Sequence, residues 1–243
     1  MASIELQPGT LFVGKAMQRF YEFTEPLILR HLRQGDTLLD VGCGDGLLGI
    51  KLRRQADLKS LVGIDSRPPV ILQAESMANP SVERFAVGNA EDCEWVATMS
   101  PFDVVLMRNV LHHFKDPLGA LKQYTEMLNP GGRLILVDID REAACGDVFG
   151  LPLTLLITWY HVWRTIGWRA ARKAIRGMKY PSREWREHRA EDMKHRKSIG
   201  WFRYRDIRQE LRSAFPKAEI GRLASFCGLG GVHYMIYEKP TNV

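Results

Sequence analysis

Between Gly35 and Asp138, short apolar, β-rich runs alternate with longer stretches in which apolar positions recur at helical spacing. That alternation predicts a parallel sheet covered by helices. The expected strands are Thr37 to Asp40, Ser60 to Asp65, Val82 to Val87, Phe102 to Met107 and Arg133 to Asp138. Helices are expected over Leu47 to Gln55, Pro69 to Met77, Glu91 to Thr98 and Pro117 to Leu128, with Asn129-Pro130-Gly131-Gly132 breaking the last and turning the chain into the fifth strand. Upstream, Lys15 to Arg33 reads as a helix kinked or broken at Pro26. The pattern changes over Ile139 to Gly200, which holds no clear strand and four tryptophans, Trp159, Trp163, Trp168 and Trp185. Regular elements return with a helix over Tyr204 to Phe215 and strands over Ala218 to Leu223 and His233 to Glu238, which suggest an antiparallel edge. The organisation is therefore an N-terminal helical segment (1–34), a core (35–140), a helical insertion or cap (141–203) and a return to the core sheet (204–243). The fold class is a doubly wound α/β sheet with a helical insertion after the fifth strand.

The first strand runs into Val41-Gly42-Cys43-Gly44-Asp45-Gly46, a glycine-rich strand-to-helix turn. Glycines there let the backbone turn tightly and let a ligand approach closely. With Gly49 included, Gly44-x-Gly46-x-x-Gly49 also matches a dinucleotide fingerprint, a weak signal alone. Asp40 discriminates: a carboxylate two residues before the first glycine would repel a pyrophosphate and attract an ammonium. S-adenosylmethionine carries both an ammonium and a cationic sulfonium. Asp65 ends the second strand about 20 residues later, where a carboxylate accepts ribose hydroxyls in either cofactor class.

LLDVGCGDG, VGID, GNAEDC, FDVVLMRNVLHHF and LNPGGRLILVD occur in order over about residues 37–138, and with them the chain resembles the class I S-adenosylmethionine-dependent methyltransferases, within their bacterial small-molecule group. The resemblance implies a Rossmann-like seven-stranded sheet whose last strand is antiparallel, and S-adenosylmethionine as cofactor. It places Asp40, Gly42 and Gly44 at the methionine part, Asp65 at the ribose and Ala90 with Glu91 by the adenine, and it counts Cys43, Ser66 and Asn89 among the cofactor-binding residues. Arg108, at the end of the fourth strand, falls beside the methyl-donor region. Asn89 stands where the family often has Asp; its carbonyl oxygen can still accept from an adenine amino group. Cys43 reads most simply as a small residue facing the sheet.

Methyl transfer is an in-line displacement at an activated carbon, so the protein mainly positions the two reactants. A general base helps only where the acceptor must lose a proton. His112 and His113 follow the fourth strand and are the candidates, His112 preferred; the alternative is a structural or cofactor-packing pair. Tyr160, His161, His188, His195 and Tyr204 are secondary candidates from the segment expected to cover the acceptor. No metal-ligand spacing occurs, and adjacent histidines are expected to diverge on a helix.

Apolar residues (45%) and charged residues (26%) stand at globular values, which excludes collagen-like, disordered and polytopic membrane chains. Cys43, Cys93, Cys145 and Cys227 form no C-x-x-C pair, so reduced thiols and a cytoplasmic protein are expected. The N-terminus lacks the charged and apolar regions of a secretory signal. The longest apolar stretch, Val148 to Trp163, is shorter than the ~20 residues of a spanning helix and is interrupted by Gly150, Pro152 and His161.

The net charge of +6 is unevenly placed. From Arg164 to Arg212, sixteen basic residues face six acidic ones, so that segment carries +10 and the rest of the chain −4. Arg169, Arg172, Lys173 and Arg176 form one stripe at helical spacing, downstream of an apolar, aromatic run. Three readings stand: a solvated face on a packed cap; a lid over a lipophilic acceptor or a peripheral membrane contact through 148–178; or a phosphate-binding face for RNA. Against nucleic acid, there is no appended RNA-binding module, and the place where base N-methyltransferases carry an N-P-P-Y-like motif reads MRNVLHH. The sequence thus points to an S-adenosylmethionine-dependent methyltransferase with a small lipophilic or aromatic acceptor, transfer to O being preferred over C or N. An RNA methyltransferase and a non-catalytic binder of the cofactor are the alternatives.

Overall fold

A computed structural model describes residues 24–91, 94–99, 101–139, 204–224 and 231–241. Residues 24–30 are helical (α1) and include Pro26; the upstream part of the expected N-terminal helix lies outside the described residues. Then follow β1 (Thr37–Val41), α2 (Leu47–Gln55), β2 (Ser60–Asp65), α3 (Pro68–Met77), β3 (Glu83–Val87), α4 (Glu94–Ala97), β4 (Phe102–Arg108), a 3₁₀ turn (Leu111–His113), α5 (Pro117–Glu126) and β5 (Leu128–Ile139). After the insertion, which lies outside the described residues, come α6 (Tyr204–Ala214), β6 (Glu219–Ala224) and β7 (Gly231–Glu238).

The seven strands form one sheet in the order β3-β2-β1-β4-β5-β7-β6. β1 to β5 are mutually parallel, and β7 runs antiparallel to both β5 and β6. This is the Rossmann-like arrangement expected: the last strand, β7, is antiparallel and lies one place in from the edge, and β6 is outermost. Register explains the order, since β7 pairs with β5 over seven residues and buries Met235 and Ile236 between its neighbours.

The central strands are apolar on both faces because helices cover both. Leu39, Val41, Val105, Met107, Leu134 and Leu136 join α5 and α6 through Leu121, Tyr124, Ile207 and Leu211. Their chain neighbours Leu38, Val104, Leu106, Ile135 and Val137 turn to the other face and join α1, α2 and α3 through Leu27, Ile28, Leu48, Leu52, Ile71 and Ala74. Period-two alternation thus feeds two cores, and the runs TLLDV and VVLM could not have been half-exposed strands.

Two expectations shift. α5 stops at Glu126 because Leu128 already pairs with Phe102. Asn129-Pro130-Gly131-Gly132 is not a turn ahead of β5 but a bulge within it, between the Leu128 and Arg133 pairings to β4. Gly131 takes a left-handed φ of 75°, its N–H donates to the Lys239 carbonyl, and the Lys239 N–H donates to Gly132, so the end of β7 clamps the bulge.

Beneath the sheet, Arg133 Nη2 donates to Asp36 Oδ2 (2.7 Å) and Nη1 to the His31 carbonyl (2.5 Å), tying β5 to the segment that enters β1. Both side chains are buried. Removing one partner strands the other charge in the core, so Asp36→Ala is expected to lower unfolding free energy by about 3–5 kcal/mol in a denaturant titration.

Candidate active site

The sheet reverses its winding between β1 and β4, so a crevice opens beyond the carboxyl ends of those two strands, the usual ligand position in open α/β sheets. The glycine loop after β1 forms one wall. The N–H groups of Gly42 and Cys43 both donate to the Ile64 carbonyl, at 2.8 and 2.9 Å, which fixes the loop to the end of β2. Gly42 has a φ of 71°, and a Cβ there would lie 2.7 Å from Val110 Cγ2, just beyond β4. Glycine is therefore required twice over, by conformation and by space. Gly42→Ala is expected to destabilise the fold by about 2 kcal/mol or more through strain and clash, and to displace the loop; thermal unfolding checks it.

Asp40, on β1, is 3% exposed and accepts no side-chain hydrogen bond among the described residues. Gly49 leaves room for it: a Cβ there would stand 2.9 Å from Asp40 Oδ2. Burial pushes the Asp40 carboxyl up to about 6; Arg108 opposes the rise, and Asp65 and Asp45 add to it. An isolated buried acid of this kind costs stability unless a cation joins it. Arg108, the last residue of β4, is half-buried and close enough to act on Asp40 electrostatically.

Asp65 closes β2 on the other side of the loop and is 7% exposed. Gly44 N–H donates to its Oδ2 at 3.0 Å, and Arg67 donates to both oxygens through Nε and Nη2. Burial pushes its carboxyl up, but these bonds more than offset that, and the net shift is downward. Ser66 follows and is exposed. Cys43 packs into the core over Gly63. Burial and the neighbouring carboxylates raise its thiol strongly, which keeps it protonated and unsuited to nucleophilic attack.

The segment after β3 lies beside Asp65, whose carbonyl accepts from Gly88 N–H at 3.0 Å. Asn89 Oδ1 accepts from Glu91 N–H (3.1 Å), so the oxygen expected to face an adenine amino group already closes a turn with one of its lone pairs. Tyr124 OH donates to the Ala90 carbonyl (2.9 Å), and Glu91 Oε1 accepts from Lys115 N–H (2.6 Å). α5 and the segment before it therefore hold this loop from beneath.

His112 and His113 lie on the 3₁₀ turn, and their rings do not diverge: the centroids are 4.2 Å apart, tilted by 39°. The tight turn replaces the expected helix and brings adjacent side chains together. His113 is exposed, whereas His112 is buried against Asp138, near the end of β5. Asp138 Oδ1 lies 2.8 Å from His112 Nδ1, and Oδ2 accepts the His112 backbone N–H at 3.2 Å. A carboxylate accepts only, so Nδ1 carries the proton and Nε2 is the basic nitrogen. Asp138 was not among the site residues read from the sequence. The available signal was an acid near the end of a central strand, the position shared by Asp40 and Asp65. Among the described residues no cluster could hold a metal ion, and no helix is long and apolar enough to cross a membrane. Tyr160, His161, His188, His195 and the 148–178 stretch lie outside the described residues, and Tyr204 opens α6.

Known proteins resemble this chain in sequence and in fold. A ubiquinone biosynthesis O-methyltransferase of Cereibacter sphaeroides is 36% identical over 108 residues, 44% of this chain and 43% of that one. A tRNA U34 carboxymethyltransferase of Haemophilus influenzae is 32% identical, over 57% of this chain and 48% of its own length. A ribosomal protein L11 methyltransferase of Thermus thermophilus is 33% identical, over 57% and 52%. The chain thus spans about half the length of these curated relatives. Among solved structures, the plantazolicin methyltransferase BpumL in complex with SAH superposes with a TM-score of 0.62 at 16% identity, covering 96% of this chain and 91% of that one, which shows a common fold. The methyltransferase-domain family itself matches residues 13–234, nearly the whole chain, and the protein belongs to that family.

Proposed function

We propose that the protein is an S-adenosylmethionine-dependent methyltransferase that moves a methyl group to oxygen on a small lipophilic or aromatic acceptor. The observation that carries the donor assignment is Asp40, a buried carboxylate with no hydrogen-bond donor among the described residues, set in the β1/β4 crevice behind a glycine loop. It fits a cationic ligand and disfavours a pyrophosphate. Asp40, Gly42 and Gly44 would hold the amino-acid end, Asp65 the ribose, and the Asn89 to Glu91 loop the adenine. When bound, S-adenosylmethionine supplies a methyl group already activated by its sulfonium.

The chain's own work is then to orient the acceptor, exclude water and remove a proton where one must leave. The relatives are named for ubiquinone biosynthesis O-methylation, a tRNA and a ribosomal protein, so kinship does not choose the acceptor. His112 favours an acceptor with a proton to lose: Asp138 holds its ring in the tautomer whose Nε2 can accept from a hydroxyl. A thioether nucleophile would need no such group. The lipophilic acceptor rests on the apolar, tryptophan-rich composition of the run before Trp168.

Titration calorimetry with S-adenosylhomocysteine tests the donor site, and absence of binding would end this reading. Labelled methyl transfer from S-adenosylmethionine into separate pools of small molecules, lipid extract and RNA tests the acceptor. Label in RNA alone would replace the small-molecule assignment; binding without transfer to any pool would leave a non-catalytic cofactor binder.

A further inference from the structure

We propose that Arg67 is an intramolecular competitor for the ribose seat, so that the donor nucleoside binds only as the Arg67 guanidinium leaves Asp65. The inference rests on the reading above that Asp65 accepts the ribose hydroxyls. Asp65 Oδ1 accepts from the Arg67 N–H and from Arg67 Nε, each at 3.0 Å. Its Oδ2 accepts from Gly44 N–H at 3.0 Å and from Arg67 Nη2 at 3.2 Å. A carboxylate offers about four lone-pair positions. Four donors fill them.

The four are not equivalent. The two backbone N–H groups belong to the loops that shape the site and stay with them. The two guanidinium bonds occupy the remaining positions, the ones a vicinal diol would need. The guanidinium also stands beside the glycine loop, with Nη2 3.8 Å from where a Cβ on Gly44 would stand. Asp65 cannot yield, because its side chain is 7% exposed and tied to Gly44. Arg67 can, because its side chain is 64% exposed and leads straight into water.

This exposure sets the strength of the device. An ion pair half in solvent is modest and screened by salt, so Arg67 tunes affinity and does not block the site. As ribose loosens from Asp65, the guanidinium returns to the same oxygens, which favours departure of the spent nucleoside.

The test is titration calorimetry of S-adenosylhomocysteine into the full chain, comparing wild type with Arg67→Ala and Arg67→Gln at low and high sodium chloride. Both variants are expected to bind about three- to tenfold more tightly. Wild-type affinity is expected to rise with salt as the pair is screened, while the variants stay flat. Wild type that binds, with variants equal or weaker, overturns the competitor role alone and makes Arg67 a contact that helps hold the cofactor. Wild type that does not bind overturns the donor-site reading, and this inference with it.

Discussion

Asp40→Asn is expected to make the ligand-free protein more stable while removing its affinity for the methyl donor. Burial raises the Asp40 carboxyl to about 6, against an ordinary value of 3.8. The folded state therefore holds this proton more tightly than the unfolded chain does. Below about pH 4 both states are protonated, and the acid imposes no penalty. As pH rises through 4 to 6 the unfolded chain releases its proton first, and stability falls; above about pH 6 the loss levels off near 3 kcal/mol, a little over two pKa units at 1.36 kcal/mol each. Asparagine has no proton to lose, so Asp40→Asn is expected to unfold like wild type near pH 4 and to gain up to about 3 kcal/mol near pH 8. The same change removes the buried anion proposed to face the donor's cationic end. Losing one member of a desolvated charge pair costs about 3–5 kcal/mol, or some hundred- to several-thousandfold in affinity. In the wild type, donor binding should weaken as pH falls below about 6, because the carboxylate must then be deprotonated to bind. Denaturant titrations at two pH values, paired with calorimetric binding, check both halves. A variant that is no more stable near pH 8, or that still binds the donor, contradicts the assignment.

Asp138→Asn and His112→Ala are expected to be the most damaging changes to turnover. His112→Ala removes the basic nitrogen and should lower kcat by about 10²–10⁴ on a hydroxyl acceptor. Asp138→Asn keeps the size of the side chain but presents an amide that can donate to Nδ1, which shifts the proton to Nε2 and leaves the ring unable to accept. Both variants should bind S-adenosylhomocysteine within a few-fold of wild type, since neither residue is placed at the donor. His113→Ala supplies the contrast: that ring is exposed and packs on His112, so a loss of less than about tenfold is expected. The measurement is single-turnover methyl transfer into whichever acceptor pool takes up label, with donor binding measured alongside. Wild-type rates in both His112→Ala and Asp138→Asn would make the pair a structural tie between the β4 turn and β5.

Much of the donor side is legible along the chain because its parts are local. Asp40, the glycines and Asp65 sit at strand ends whose positions follow from period-two apolar runs, and the observed β1, α2 and β2 match those runs to within one residue. A strand end next to a glycine turn has only one way to face. The histidines were visible for the same reason, as the residues directly following β4. Asp138, by contrast, is 26 residues from His112, and nothing in the order of residues says that it takes the Nδ1 hydrogen bond. Tyr124 reaches Ala90 across 34 residues in the same way.

By itself, then, the sequence determined the sheet, the glycine loop and the two acids on the strands that flank it, because strand periodicity and turn chemistry act between near neighbours. It also located the basic charge in one segment. Only the tertiary structure decided how those groups behave. Parallel pairing of β1 with both β2 and β4 buries Asp40 and raises its carboxyl, and the end of β5 supplies Asp138 to orient His112. Asp65 shows the division within one residue. Its place was set by the end of a strand, whereas its filled lone pairs depend on how the β1 and β2 loops meet, since hydrogen bonds and desolvation are properties of distance in space.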